Sequence, residues 1–243
     1  MAIVLFTDFG SRDPYVGQVK AVLERDAPGI AVVDLLNDAP AFNLKAAAHL
    51  LASLAPEFPQ GSVFVAVVDP GVGSLRAPVT LRADGYRFVG PDNGLLSVFA
   101  ARAERVDSFR IVWKPGRLST SFHGRDLFAP VAARIAINAL PGDWLEPLEK
   151  LSVDFGGDDL AEIIFVDHYG NAMTGARASA VSRGARLVVN GRYLDNAKVF
   201  SSVSEGEAFW YENSQGLVEI AVNQGSAAEK LDLKVGDRIG WAD

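Results

Sequence analysis

The chain has 243 residues, enough for one large domain or two modest ones, and its 49% hydrophobic and 22% charged content is that of an ordinary globular protein with a sizeable core. A formal net charge of −7 without any Lys/Arg-rich run argues against tracking a phosphate backbone. The absence of cysteine removes disulfide scaffolds, thiolate metal sites, Fe–S clusters and cysteine nucleophiles together.

In chain order, Ile3 to Phe6 reads as a first strand, because Asp8 ends the apolar run too early for a signal-peptide core. An amphipathic helix over Tyr15 to Arg25 and a strand over Ile30 to Leu35 complete a βαβ beginning. Asn43 is placed to cap a helix over Leu44 to Leu54, which Pro56 and Pro59 stop before a buried strand over Ser62 to Val68. Shorter strands are expected at Val79 to Arg82 and Arg87 to Val89, then helices over Leu95 to Arg102 and Leu127 to Ala139. From Pro141 to Asp159 the sequence turns to Pro, Gly and acidic residues without a sustained period, the mark of a connection. Beyond it come short runs at Ile163 to Val166, Arg186 to Val189, Ala208 to Tyr211, Leu217 to Val222 and Arg238 to Trp241. The expected architecture is an α/β domain over residues 1–150 with a largely parallel sheet, a linker over 151–159 and a β-barrel-like domain over 160–243. No apolar stretch is long enough to span a bilayer, and a soluble cytoplasmic protein without membrane or nucleic-acid partners is expected.

The chemistry is expected at strand ends, since ligands of open α/β sheets sit beyond the carboxyl ends of the strands. Four polar clusters fall there: TDFG (7–10), DPGVGS (69–74), PDNG (91–94) and FHGRD (122–126). Taken singly each is also an ordinary turn sequence. Gly71 and Gly73 lack the third glycine of a dinucleotide loop, and no Gly-Lys-Ser/Thr phosphate loop occurs. His49, His123 and His168 lack the paired spacing of a zinc site, so no metal is expected; His49 and His168 read as structural.

The ordered motifs TDFG, FPQGSVFVAVVDPGVGS (58–74), PDNGLLS (91–97), SFHGRDLFAP (121–130), VDHYGN (166–171) and NSQGLVEIAVN (213–223) together resemble the S-adenosylmethionine hydroxide adenosyltransferases. These are hydrolase relatives of the adenosyl-fluoride and adenosyl-chloride synthases. The resemblance covers nearly the whole chain and implies hydrolysis of S-adenosyl-L-methionine to adenosine and L-methionine, the substrate needing no added cofactor. It implies Asp69, Arg76 and His123 as the catalytic trio. Asp8 would bind the ribose hydroxyls and Asp13 the methionine amino group, while Asp167, Asn171 and Ser214 would hold substrate on the second domain. Phe42 and Phe200 would line the adenosine pocket, Tyr169 would stack where the family often carries Phe, and Val222 falls where main-chain contacts to adenine occur. A homotrimer, with each pocket shared between subunits, is also implied. At Gln215 the halogenating relatives tend to carry Arg, leaving open how the methionine carboxylate is held.

Residue chemistry favours water over halide. Halogenating relatives carry uncharged residues where this chain has Asp69, and two unit negative charges about 4 Å apart repel by roughly 4 kcal/mol at an effective dielectric near 20. An Arg76 pairing with Asp69 would leave His123 as the expected proton acceptor. An adenosyl-halide synthase and a non-catalytic adenosine-binding module are the alternatives.

Overall fold

The computed structural model describes residues 1–242, which divide into two compact units, Met1–Gly157 and a second beginning at Asp158. The first holds β1 (Ala2–Thr7), α1 (Tyr15–Asp26), β2 (Ala31–Leu36), α2 (Leu44–Leu54), β3 (Val63–Val67), β4 (Pro78–Ala83), β5 (Tyr86–Pro91), α3 (Ser97–Arg102), β6 (Val106–Ile111), α4 (Ala129–Ala136) and β7 (Leu145–Leu148). Its seven strands form one sheet in the order β2-β1-β3-β5-β4-β6-β7. Strands β2, β1, β3 and β5 run parallel, and β4, β6 and β7 continue the sheet by antiparallel pairing. Both expected βαβ crossovers are present, and the sheet is therefore covered on two faces. Ile3, Leu5, Val63 and Val65 point to one face, where they pack with Val19 and Leu23 of α1 and Val131 and Ile135 of α4. Phe64 and Phe88, alternating with them, stack at 5.0 Å on the other face, where Phe99 of α3 meets Phe88 at 4.7 Å.

Several boundaries differ from the sequence-based expectation for physical reasons. Helix α3 starts at Ser97, not Leu95, because Asn93 and Gly94 form a turn in which the Asn93 side chain accepts the Leu95 N–H at 3.3 Å. Helix α4 is shorter at both ends than Leu127 to Ala139. Asn138, at φ 54, ends it. At its start Pro130 has no N–H and its ring excludes the Asp126 carbonyl. The turn before it, Gly124–Phe128, is wound wide as a π turn, with the Ala129 N–H bonded to the Gly124 carbonyl. Strand β7 lies inside the stretch read as connection, at the sheet edge where Pro147 is tolerated. The remainder of that stretch is tied to the first unit: Asp92 accepts the Ser152 N–H and hydroxyl at 2.9 and 2.6 Å, and Ser97 Oγ accepts the Phe155 N–H at 3.0 Å.

The second unit contains β8 (Leu160–Val166), β9 (Ala172–Arg177), β10 (Arg186–Val189), β11 (Arg192–Leu194), β12 (Ala208–Glu212), β13 (Leu217–Val222), α5 (Ala227–Leu231) and β14 (Ile239–Ala242). Two antiparallel sheets, β12-β13-β9-β8 and β11-β10-β14, enclose a common core that includes Trp210, Val218, Ile220, Leu187 and Ile239. Bridges between Glu162 and Arg238 and between Asn196 and Trp210 link them into a barrel-like wrap.

Candidate functional site

In the first unit the chain direction across the sheet reverses at β1: β2 lies on one side and β3 on the other. This switch point is where open α/β sheets place ligands. Asp8 follows β1 and Asp69 follows β3, and the two strand ends are tied by the Asp8 N–H to the Val67 carbonyl at 3.3 Å. The loop after Asp69 is built from two consecutive turns, Val72 N–H to Asp69 carbonyl and Ser74 N–H to Gly71 carbonyl. Gly73, at φ 79, lets this loop approach the segment before His123: a Cβ there would lie 2.5 Å from the Thr120 carbonyl oxygen.

That approach brings together three residues distant in sequence. Arg76 grips the Asp69 carboxylate with two donors, Nε to Oδ1 at 3.0 Å and Nη2 to Oδ2. The same Nη2 lies 2.9 Å from His123 Nδ1. Both charged side chains are nearly sequestered, 9% exposed for Arg76 and 5% for Asp69, and the guanidinium lies over the Phe128 ring at 5.4 Å. A guanidinium can only donate, so Nδ1 is the acceptor and the proton of neutral His123 sits on Nε2. Burial first, and then the Arg76 charge, holds His123 below its ordinary value. With Nδ1 accepting from Arg76, the imidazole presents an N–H donor at Nε2.

Burial pushes the Asp8 carboxyl up, against its own backbone hydrogen bond, and the Asp69 charge adds to the effect. Asp13 lies on the loop ahead of α1, its N–H 3.4 Å from the Gly10 carbonyl. Phe42 stands 86% exposed at φ 62 just before the Asn43 cap of α2, where Asn43 Oδ1 accepts the Ala46 N–H at 3.0 Å. Neither Asp13 nor Phe42 touches the trio through a hydrogen bond or ring contact.

In the second unit one cavity of ≈ 660 Å³ is lined by all six residues named from the sequence there: Asp167, Tyr169, Asn171, Phe200, Ser214 and Val222. Two hairpin loops of the same construction frame it. In Asp167–Asn171 the first N–H bonds the last carbonyl at 2.9 Å, the Gly170 N–H bonds the Asp167 carbonyl, and Asp167 Oδ1 accepts the N–H groups of Tyr169 and Asn171. In Asn213–Leu217 the corresponding bonds recur, with Asn213 Oδ1 accepting from Gln215 and Leu217. The shared pattern is an Asx residue followed three positions later by glycine at φ 83 or 73, a turn set by a side-chain acceptor. Gln215, left open from sequence, lines the cavity as well, and Tyr211, Asn213 and Glu219 also line it and were not singled out from sequence. The available signal was a charged residue inside the apolar run LVEIAV. Among the described residues, no group of three or more His, Cys, Asp or Glu converges as a metal site requires, and no helix is long and apolar enough to cross a membrane.

A three-layer α/β unit with a polar array at its switch point, continued by a barrel-like β unit with a polar and aromatic cavity, defines a two-part protein of the α/β class. The chain belongs to the SAM hydroxide adenosyltransferase family: the N-terminal domain of that family matches residues 3–143 and its C-terminal domain residues 161–240. It is 39% identical to the (R)-S-adenosyl-L-methionine hydrolase of Thermus thermophilus and 38% identical to that of Salinispora arenicola, covering 96% of this chain in both cases and 96% and 94% of those proteins. Similarity to a fluorinase from Actinoplanes is lower, 23% identity over 96% of this chain and 95% of that protein. A crystal structure of an uncharacterized conserved protein from Thermotoga maritima superposes with a TM-score of 0.89 at 32% identity, covering 99% of this chain and all of that one.

Proposed function

We propose that this chain hydrolyses S-adenosyl-L-methionine to adenosine and L-methionine, with Asp69, Arg76 and His123 acting on the attacking water. The observation that carries the reading is the buried Asp69–Arg76–His123 array, which offers an acceptor and a neutral N–H donor around one fixed guanidinium. In the reaction the water oxygen forms a bond to the ribose C5′ as the C5′–S bond breaks. The electron pair leaves on sulfur, giving neutral methionine, and one water proton goes to the protein. The leaving group needs no acid, so the barrier lies in stripping, aligning and deprotonating the water. Each Asp69 oxygen keeps a lone pair beyond its Arg76 contact, and Asp69 is the proton acceptor; His123 Nε2–H donates to the water oxygen and fixes its direction. Arg76 holds both partners in register.

Substrate contacts follow the same reading. Asp8 takes the ribose hydroxyls, Asp13 the methionine ammonium, and Phe42 packs on the nucleoside. Asp167, Tyr169, Asn171, Phe200, Ser214 and Val222 receive substrate in the second unit, supported by their convergence on one cavity. The protein works as a cytoplasmic homotrimer without a resident cofactor.

The test is product analysis. Each sulfonium epimer of S-adenosylmethionine is incubated with the protein in chloride or fluoride buffer; adenosine and methionine are expected, with the R epimer preferred as in the names of the relatives. A 5′-halogenated nucleoside as main product overturns the hydrolase reading, and tight binding without release of adenosine over many hours replaces it with a binding role.

A further inference from the structure

Glu219 occupies the middle of β13, a strand in which every residue is buried, and it is only 2% exposed. Its neighbours Val218 and Ile220 point into the core of the second unit, so Glu219 faces the other side of the sheet. Register sets it directly between Tyr211 on β12 and Met173 on β9. Its Oε1 accepts the Tyr211 hydroxyl at 2.5 Å and its Oε2 accepts Asn213 Nδ2 at 2.7 Å. Both donors are uncharged, and among the described residues no Lys or Arg lines the cavity that Glu219 adjoins. A carboxylate without a cationic partner is a costly way to fill a buried strand, where an apolar side chain serves stability better.

Both contacts lead to the walls of the cavity. The Asn213 amide has one orientation that satisfies all its neighbours: Nδ2 toward the carboxylate, Oδ1 toward the N–H groups of Gln215 and Leu217. Reversing it would set an NH2 group against two N–H donors. The carboxylate thereby fixes the amide, and the amide fixes the turn that displays Ser214 and Gln215. On the other side the Tyr211 ring meets Phe200 edge-on at 5.5 Å, and its hydroxyl is pinned by Glu219.

We propose that Glu219 is a positioning residue for the substrate: its carboxylate holds the Ser214–Gln215 turn through Asn213 and the Phe200 wall through Tyr211. The inference rests on the hydrolase reading of this cavity. Only the ionised form accepts from both donors, and protonation turns one oxygen into a competing donor. Burial raises Glu219 above the usual carboxylate range, and Asp167 adds to the shift. Asp167 and Tyr211 are the titratable groups facing it; Tyr211 is itself pushed up by burial and by Glu219 and stays a donor, while Met173 and Phe200 are neutral. The positioned state is therefore present above the raised value and lost as pH falls through it.

The experiment compares wild type, Glu219→Gln and Tyr211→Phe by steady-state hydrolysis of S-adenosylmethionine and by calorimetric binding of adenosine, each over a pH series. Glu219→Gln keeps the shape but turns one donor away. Its KM and its adenosine Kd are expected to rise about tenfold, the scale of a lost hydrogen bond to a charged group, with kcat within about twofold. The acid rise in wild-type KM that belongs to Glu219 is absent from the variant. A folded Glu219→Gln protein with wild-type KM, Kd and acid limb overturns the proposal and leaves Glu219 structural. Should that variant fail to fold, Tyr211→Phe decides: a higher KM with a displaced acid limb supports positioning, and unchanged values overturn it. Wild type that binds adenosine but turns over no S-adenosylmethionine refutes the hydrolase reading alone, and the Kd comparison still decides the role of Glu219. Wild type that binds neither molecule removes both.

Discussion

Arg76 has N–H groups to give and no lone pair to accept with, and that asymmetry decides what its neighbours can do. With His123 Nδ1 occupied by Nη2 at 2.9 Å, a residue that supplies only a donor at the Nε2 position should work in its place. His123→Gln is expected to keep turnover within about tenfold of wild type, and His123→Phe to lose about a hundredfold or more, read as kcat at saturating substrate. Asp69→Asn removes the proposed acceptor and should lower kcat by about 10² to 10⁴ while adenosine binding persists. The pH dependence follows from the depressed His123: its neutral form is the proposed working one, so kcat is expected to fall with acid at a pH below the ordinary histidine value. The stability sign agrees. The unfolded chain binds the His123 proton more readily, so the folded state gains as pH rises through the window between the two values. An acid limb at the ordinary histidine value would contradict this. The three converging residues were legible in DPGVGS-x-R and FHGRD, but the donor role proposed for His123 was not. Its tautomer is set by a side chain 47 positions away, which no local pattern encodes.

At the scale of elements, β1 and β3 were readable because burial on both faces makes them continuous apolar runs. Strand β6 (VDSFRI), interior between β4 and β7, escaped because its exposed Asp107 and Arg110 break the apolar pattern, and β7 (LEPL) because an edge strand tolerates a proline. The paired loops of the second unit were visible only as turns; that both aim at one cavity is a consequence of β8, β9, β12 and β13 sharing a sheet. Their glycines give a controlled comparison. Gly216 has open space around it, so Gly216→Ala should cost only the left-handed strain, about 1–2 kcal/mol. At Gly170 a Cβ would lie 2.1 Å from Ser226 Oγ, which caps α5 by accepting the Glu229 N–H. Gly170→Ala should therefore be the more destabilising of the two in urea denaturation, and the reverse order would contradict the role given to Ser226.

For the whole molecule, composition located the change of architecture but not its details. The stretch Pro141 to Asp159 has the texture of a connection, yet it contains β7 and the Ser152 contact to Asp92, because buried acceptors on the first unit hold a backbone that has no period of its own. The division between the compact units falls after Gly157. Assembly is beyond what a single chain's composition encodes. The proposed homotrimer predicts a light-scattering mass three times that of one chain, with activity eluting in that peak; activity in a monomer peak would refute it.

The wide turn at Gly124–Phe128 has a consequence of phase. Each residue of a regular helix advances the chain by about 100°, and a π turn absorbs one extra residue between His123 and the body of α4. The imidazole is thus offset in azimuth from the direction that an unbroken helix would give it. The offset is keyed to Pro130, which contributes nothing to the trio's hydrogen bonds. Direction toward Arg76 is written into the chain as a count of residues, so a single deletion in this turn would rotate His123 away from its partner while leaving every residue of the trio in the sequence.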